Sequence, residues 1–63
     1  RKRMVMALIE PGMRVRHPTE ADWGLGQVQS VVGERVTVNF EHAGKVLINA
    51  RLIDLIIEAS PAR

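Results

Sequence analysis

The sequence predicts an all-β fold: a small, strongly bent antiparallel barrel of five short strands. Three observations carry that expectation. Apolar residues recur with a period of two, most cleanly in Val36-Thr37-Val38-Asn39-Phe40, and a period of two is the signature of a strand with one buried face. Turn residues break the chain at short intervals, at Pro11-Gly12, at Pro18, at Gly33-Glu34 and around Gly44. The chain has 63 residues and no cysteine, so it makes one domain without disulfides. A chain of this size buries only about 60 % of the surface it exposes when unfolded, and its core is accordingly small.

The elements follow in order. Residues 1–9 are an N-terminal extension whose apolar stretch, 4–9, reads equally as helix or strand. The barrel is expected over 10–58 and a frayed tail over 59–63. Pro11-Gly12 turns into a first strand, 13–17, with Val15 inward and Arg14 and Arg16 outward. Pro18 closes it, because proline cannot donate to a ladder. Thr19 and Asp22 have the spacing of a capping box, so one helical turn is expected there. The second strand is expected over 23–32. Its glycines, Gly24 and Gly26, suggest a bulge or strong coiling at the strand start. Gly33-Glu34 has the form of a type II′ hairpin turn. The third strand is 35–40, with Val36, Val38 and Phe40 inward and Arg35, Thr37 and Asn39 outward. A second hairpin loop, 41–44, leads to a fourth strand, 45–49, with Val46 and Ile48 inward and Leu47 outward. A short 3₁₀ turn is expected over 50–53 and a closing strand over 54–58.

Charge and composition narrow the function. Nine basic and seven acidic residues give +2, but Arg1, Lys2, Arg3 and Arg63 lie at the ends. Without those four, five basic residues face seven acidic ones, a net −2. The body therefore lacks the broad positive field of a nonspecific DNA binder. The stretch 4–9 is too short for a signal-peptide core, and no stretch approaches the roughly 18 apolar residues of a membrane span. With no cysteine and no export signal, a cytoplasmic location is expected. His17 and His42, the two histidines, lack further ligands at a metal-binding spacing, so no metal or other cofactor is expected. Ser30, His17 and Asp22 supply the residue types of a hydrolytic triad, but Ser30 stands mid-strand without a nucleophile elbow. No catalytic residue is expected.

Several of these residues form a recognisable string: Gly12, Val15, His17-Pro18, then Trp23-Gly24, Gly26 and Val28, then Val36-Thr37-Val38, Phe40 and Gly44-Lys45. Over about residues 10–57 it resembles the Tudor-like domain, an SH3-like barrel, at the C-terminus of UvrD/PcrA-type DNA helicases. It is closer still to short stand-alone bacterial proteins of unknown function that share that domain. The resemblance implies a five-stranded SH3-like barrel. Related barrels in transcription-coupled repair and in CarD-like regulators dock on RNA polymerase, which implies a transcription- or repair-linked adaptor. No helicase phosphate loop is present in this sequence.

The function expected from these readings is a non-enzymatic protein-interaction module. Its partner is RNA polymerase or a repair helicase, and its candidate contacts are Arg14, Arg16, Trp23, Arg35, Asn39, Lys45 and Leu47. Arg14, Arg16 and Arg35 are expected to converge, joined by Asn39. Trp23 either anchors a partner or lids the barrel with its N–H on a backbone carbonyl. His17 is expected to bond to the loop that follows it. One tryptophan, one phenylalanine and no tyrosine are too few for a methyl-lysine cage. The outward positions of the third strand carry no ring on which a base would stack, which ranks nucleic acid below protein as the partner. A third reading is self-assembly into a homodimer. It rests on a 46 % hydrophobic composition, on the apolar stretch 4–9, and on the crowd of Leu52, Ile53, Leu55, Ile56 and Ile57, which cannot all face one small core; either the two apolar ends cover each other or they make the dimer.

Overall fold

The computed structural model describes residues 9–59. Five strands follow one another: β1 (Arg14–Arg16), β2 (Gly26–Val32), β3 (Arg35–Phe40), β4 (Gly44–Asn49) and β5 (Ile56–Ala59). One 3₁₀ turn, Ala21–Trp23, lies between β1 and β2. The strands form a single antiparallel sheet in the order β4-β3-β2-β1-β5. The all-β class and the five strands agree with the sequence reading. β2, β3 and β4 are a meander, β5 returns to pair with β1, and β4 and β5 are the two edges. The expected extension lies outside the described residues except for Ile9, as does the tail beyond Ala59, which itself belongs to β5.

Met13, Val15, Val28, Val36, Val38, Phe40 and Ile48 are the buried apolar residues. Ile9, Trp23, Val31, Val46, Ile53, Leu55 and Ile57 pack around them partly covered. With no α-helix among the described residues to cover it, one sheet buries such a set by curling its inner face onto itself. The alternation of β3 holds as expected: Val36, Val38 and Phe40 are buried and Arg35 and Asn39 exposed, with Thr37 partly covered. The crowded C-terminal run also alternates. Ile53, Leu55 and Ile57 turn toward the core, and Leu52 and Ile56 turn out.

The structure corrects the expected bulge. The β2–β3 register shifts between Val28 and Ser30, so the extra residue is Gln29 and not a glycine at the strand start. Val28 and Val31 both face inward across it while Gln29 and Ser30 face out. Such a bulge bends the strand, which here pairs with β1 at its first half and with β3 along its length. Gly26 serves a different need. A Cβ at this position would stand 2.5 Å from Val38 Cγ1 and 2.6 Å from Phe40 Cδ1, so glycine lets the buried ring lie directly under β2.

Other boundaries move for local reasons. β2 starts at Gly26 and not at Trp23, because Trp23 N–H donates to Glu20 O (3.0 Å) and Gly24 N–H to Ala21 O (3.1 Å), closing the 3₁₀ turn. The expected Thr19 cap does not form: Glu20 is the N-cap residue and no side chain caps the turn. The Gly33-Glu34 link joins Val32 to its partner Arg35, with Gly33 at φ +59° and Glu34 at negative φ, as a type II′ turn requires. The short 3₁₀ turn expected after β4 is present as a single tight turn: Leu52 N–H donates to Asn49 O three residues back, as in a 3₁₀ turn, and Ile53 N–H shares the same oxygen, both at 3.0 Å.

Candidate functional site

The register draws a line of polar side chains across the outside of the sheet. Arg14 faces Gln27, Gln27 faces Asn39 and Asn39 faces Lys45, so the four occupy one row across β1, β2, β3 and β4. Directly paired residues share a face of the sheet. At about 4.8 Å per strand the row is about 14 Å long, with a cation at each end and two amides between. All four residues are exposed. Among the described residues none of their side chains makes a hydrogen bond or an ion pair. Beside the row lies an open groove of about 510 Å³, lined by Arg14, Gln27 and Asn39 and by Leu25, Glu41 and Gly44.

The expected convergence of three arginines does not occur. Arg16 pairs with Glu58, Nε to Oε2 at 3.3 Å, on the β1–β5 side. Arg35 stands at the far end of β3, between Val32 and Asn49. It is four residues from Asn39, about 13 Å along the strand. Of the expected contacts, the sheet thus brings Arg14, Asn39 and Lys45 together and leaves Arg16 and Arg35 apart. Gln27 joins them unannounced. Its signal was its place directly before the inward Val28, which turns it outward. Leu47, 63 % exposed, sits at the middle of β4 opposite Thr37.

Trp23 occupies a separate place. Its ring stands edge-on to His17 at 4.8 Å between centroids and is tilted against Phe40 at 5.2 Å, so it lids one end of the core. The expected carbonyl partner for its indole N–H is missing among the described residues. No buried side-chain nitrogen there lacks a partner either, so the indole N–H reaches the surface. The β3–β4 hairpin holds this lid in place. His42 N–H donates to Trp23 O (3.0 Å), Glu41 N–H to Leu25 O (2.9 Å), and Leu25 N–H to Glu41 Oε1 (3.2 Å). His17 is buried, and its Nδ1 accepts the Thr19 N–H at 3.1 Å, the expected bond to the following loop. A backbone N–H only donates, so the imidazole proton sits on Nε2. Ser30 lies out on the β2 bulge, and His42 is exposed at the hairpin tip. Among the described residues no three His, Asp or Glu side chains gather as metal ligands, and no helix is long and apolar enough to cross a membrane.

This is the structure of a small all-β module with an exposed polar row on its outer face. Over residues 9–57 the chain matches the model of a family described as Protein of unknown function (DUF3553). The chain belongs to that family. No curated protein and no solved structure matches it.

Proposed function

We propose that this chain is a non-enzymatic docking module of the cytoplasm that binds a protein partner through the outer face of its sheet. The observation that carries the reading is the row Arg14, Gln27, Asn39 and Lys45, four exposed polar side chains aligned by the register and engaged with nothing else among the described residues. Groups free of internal partners enter an interface without breaking native bonds, and their charges steer encounter with an acidic surface. The resemblance to UvrD/PcrA-type Tudor-like domains, and through it to barrels that dock on RNA polymerase, supplies the partner: bacterial RNA polymerase or a repair helicase. The role is then that of a transcription- or repair-linked adaptor.

Two observations favour protein over nucleic acid. The row carries no aromatic ring for base stacking. The described residues hold five basic side chains (Arg14, Arg16, Arg35, Lys45 and Arg51) against seven acidic ones, a net −2. The test is a titration of purified bacterial RNA polymerase and of a UvrD-type helicase with the labelled chain. Binding to one of them is expected, weakened at least tenfold by Arg14→Glu with Lys45→Glu and unchanged by Arg35→Glu. Binding to neither, or loss with Arg35→Glu alone, overturns the reading. Tight, steeply salt-dependent binding to single-stranded DNA in place of both overturns it in favour of nucleic acid.

A further inference from the structure

The two edges of the sheet are protected very differently. β5 is four residues long, its ladder with β1 is broken by a register shift between Arg14 and Val15, and Glu58 on it pairs with Arg16. Short length, irregularity and charge are the usual means of blunting an edge. β4 has none of the first two and little of the third. It pairs with β3 over six residues in unbroken register and contains no proline. Its one charge is Lys45, and Leu47 stands 63 % exposed at its centre.

The hydrogen-bond phase of β4 can be read from its end. Ala50 N–H donates to Glu34 O at 2.8 Å, which makes 34 and 50 a hydrogen-bonded pair in register with the ladder. Hydrogen-bonded pairs alternate along an antiparallel ladder. Ile48, Val46 and Gly44 therefore bond inward to β3, and the main-chain groups of Lys45, Leu47 and Asn49 point to the open edge. The Asn49 carbonyl agrees, since it is turned away from β3 and accepts Leu52 and Ile53 N–H.

We propose that β4 is the surface through which two copies of this chain associate, antiparallel about a two-fold axis at Leu47. The strand is self-complementary in that register. Leu47 meets the partner's Leu47 as a hydrogen-bonded pair, each donating its N–H to the other's carbonyl. Lys45 meets the partner's Asn49, so no like charges oppose, and each Asn49 N–H reaches a Lys45 carbonyl. On the inner face Val46, itself only partly buried, meets the partner's Ile48. All residues keep their faces, and the two sheets become one of ten strands. The contact is one six-residue edge on each copy, well below the about 1,000 Å² of a firm interface. The association is accordingly weak and appears at high concentration. It stands independently of the docking function, since the polar row stays on the outer face of the joined sheet.

The test uses the full chain. Sedimentation equilibrium from micromolar to millimolar concentration is expected to show a mass rising from one chain to two. Leu47→Glu, which sets two carboxylates opposite one another, is expected to remain one chain throughout, with Trp23 fluorescence reporting an intact fold. The chain has no cysteine, so one can be placed without background. Mild oxidation is expected to cross-link Leu47→Cys, whose paired Cα atoms lie about 5.5 Å apart, within disulfide reach. Lys45→Cys is expected not to cross-link, because the two sites stand more than about 7 Å apart in this register. A wild-type mass that stays at one chain to millimolar concentration overturns the proposal. So does Leu47→Glu associating like wild type, or Lys45→Cys cross-linking as readily as Leu47→Cys.

Discussion

Gly26→Ala separates two physical effects of opposite sign. Gly26 is not in the left-handed region, so removing glycine's unfolded-state freedom would by itself stabilise the chain by about 0.4–1 kcal/mol. The space around it predicts the reverse. The added methyl would meet Val38 Cγ1 at 2.5 Å, Phe40 Cδ1 at 2.6 Å and Phe40 Cε1 at 2.8 Å. Neither neighbour is free to yield, since Val38 is 0 % and Phe40 2 % exposed. Overpacking of this kind costs about 1–3 kcal/mol, and the immobility of both neighbours puts the expected loss at the upper end. A 63-residue domain has about 3–9 kcal/mol in all, so the loss takes a third or more of it. At about 4–8 °C per kcal/mol the midpoint falls by more than about 10 °C. Urea and thermal melts followed by Trp23 emission measure it, Trp23 lying 5.2 Å from the displaced ring. A variant as stable as wild type, or more stable, would refute the claim that Gly26 is there to make room.

Gly33→Ala should cost about 1 kcal/mol for a different reason, since nothing lies within 4 Å of its would-be Cβ and only φ +59° opposes the change. Gly33→Asn should recover part of that loss in the same melts. Trp23→Ala should cost about 3 kcal/mol, the lower end for a large aromatic because the ring is only partly buried, as read by circular dichroism. A double-mutant cycle on Arg16 and Glu58 should give a coupling of at most about 1 kcal/mol that fades with added salt, since their side chains are 47 % and 43 % exposed.

What could be read in advance follows the range of the forces involved. β3 was legible to the residue, because a strict alternation and two flanking turns are local signals. The inward and outward faces of β4 were legible for the same reason. The strands β1 and β5 are shorter than their sequence suggests, because their ends are set by how far each partner follows the curl of the sheet. The bulge at Gln29 did leave a mark, two consecutive polar residues between Val28 and Val31. Gly24 and Gly26 are the louder signal, but Gly24 stands at φ +77° and Gly26 makes room for the Phe40 ring, and neither shifts the register. The candidate row is the clearest case of partial legibility. Alternation alone sent Arg14, Asn39 and Lys45 outward. Which of them stand side by side depends on the β1–β2 and β2–β3 registers, set by packing between segments far apart in the chain. Alternation alone therefore does not separate Arg16 and Arg35 from Arg14, nor does it set Gln27 beside Arg14.

The most direct test of the docking account is a nuclear magnetic resonance titration of the isotope-labelled chain with unlabelled bacterial RNA polymerase. Signals of Arg14, Gln27, Asn39 and Lys45 are expected to broaden first, while those around Arg35 and the Arg16–Glu58 pair persist. Broadening centred on Arg35, or a spectrum unchanged at saturating polymerase, would contradict it.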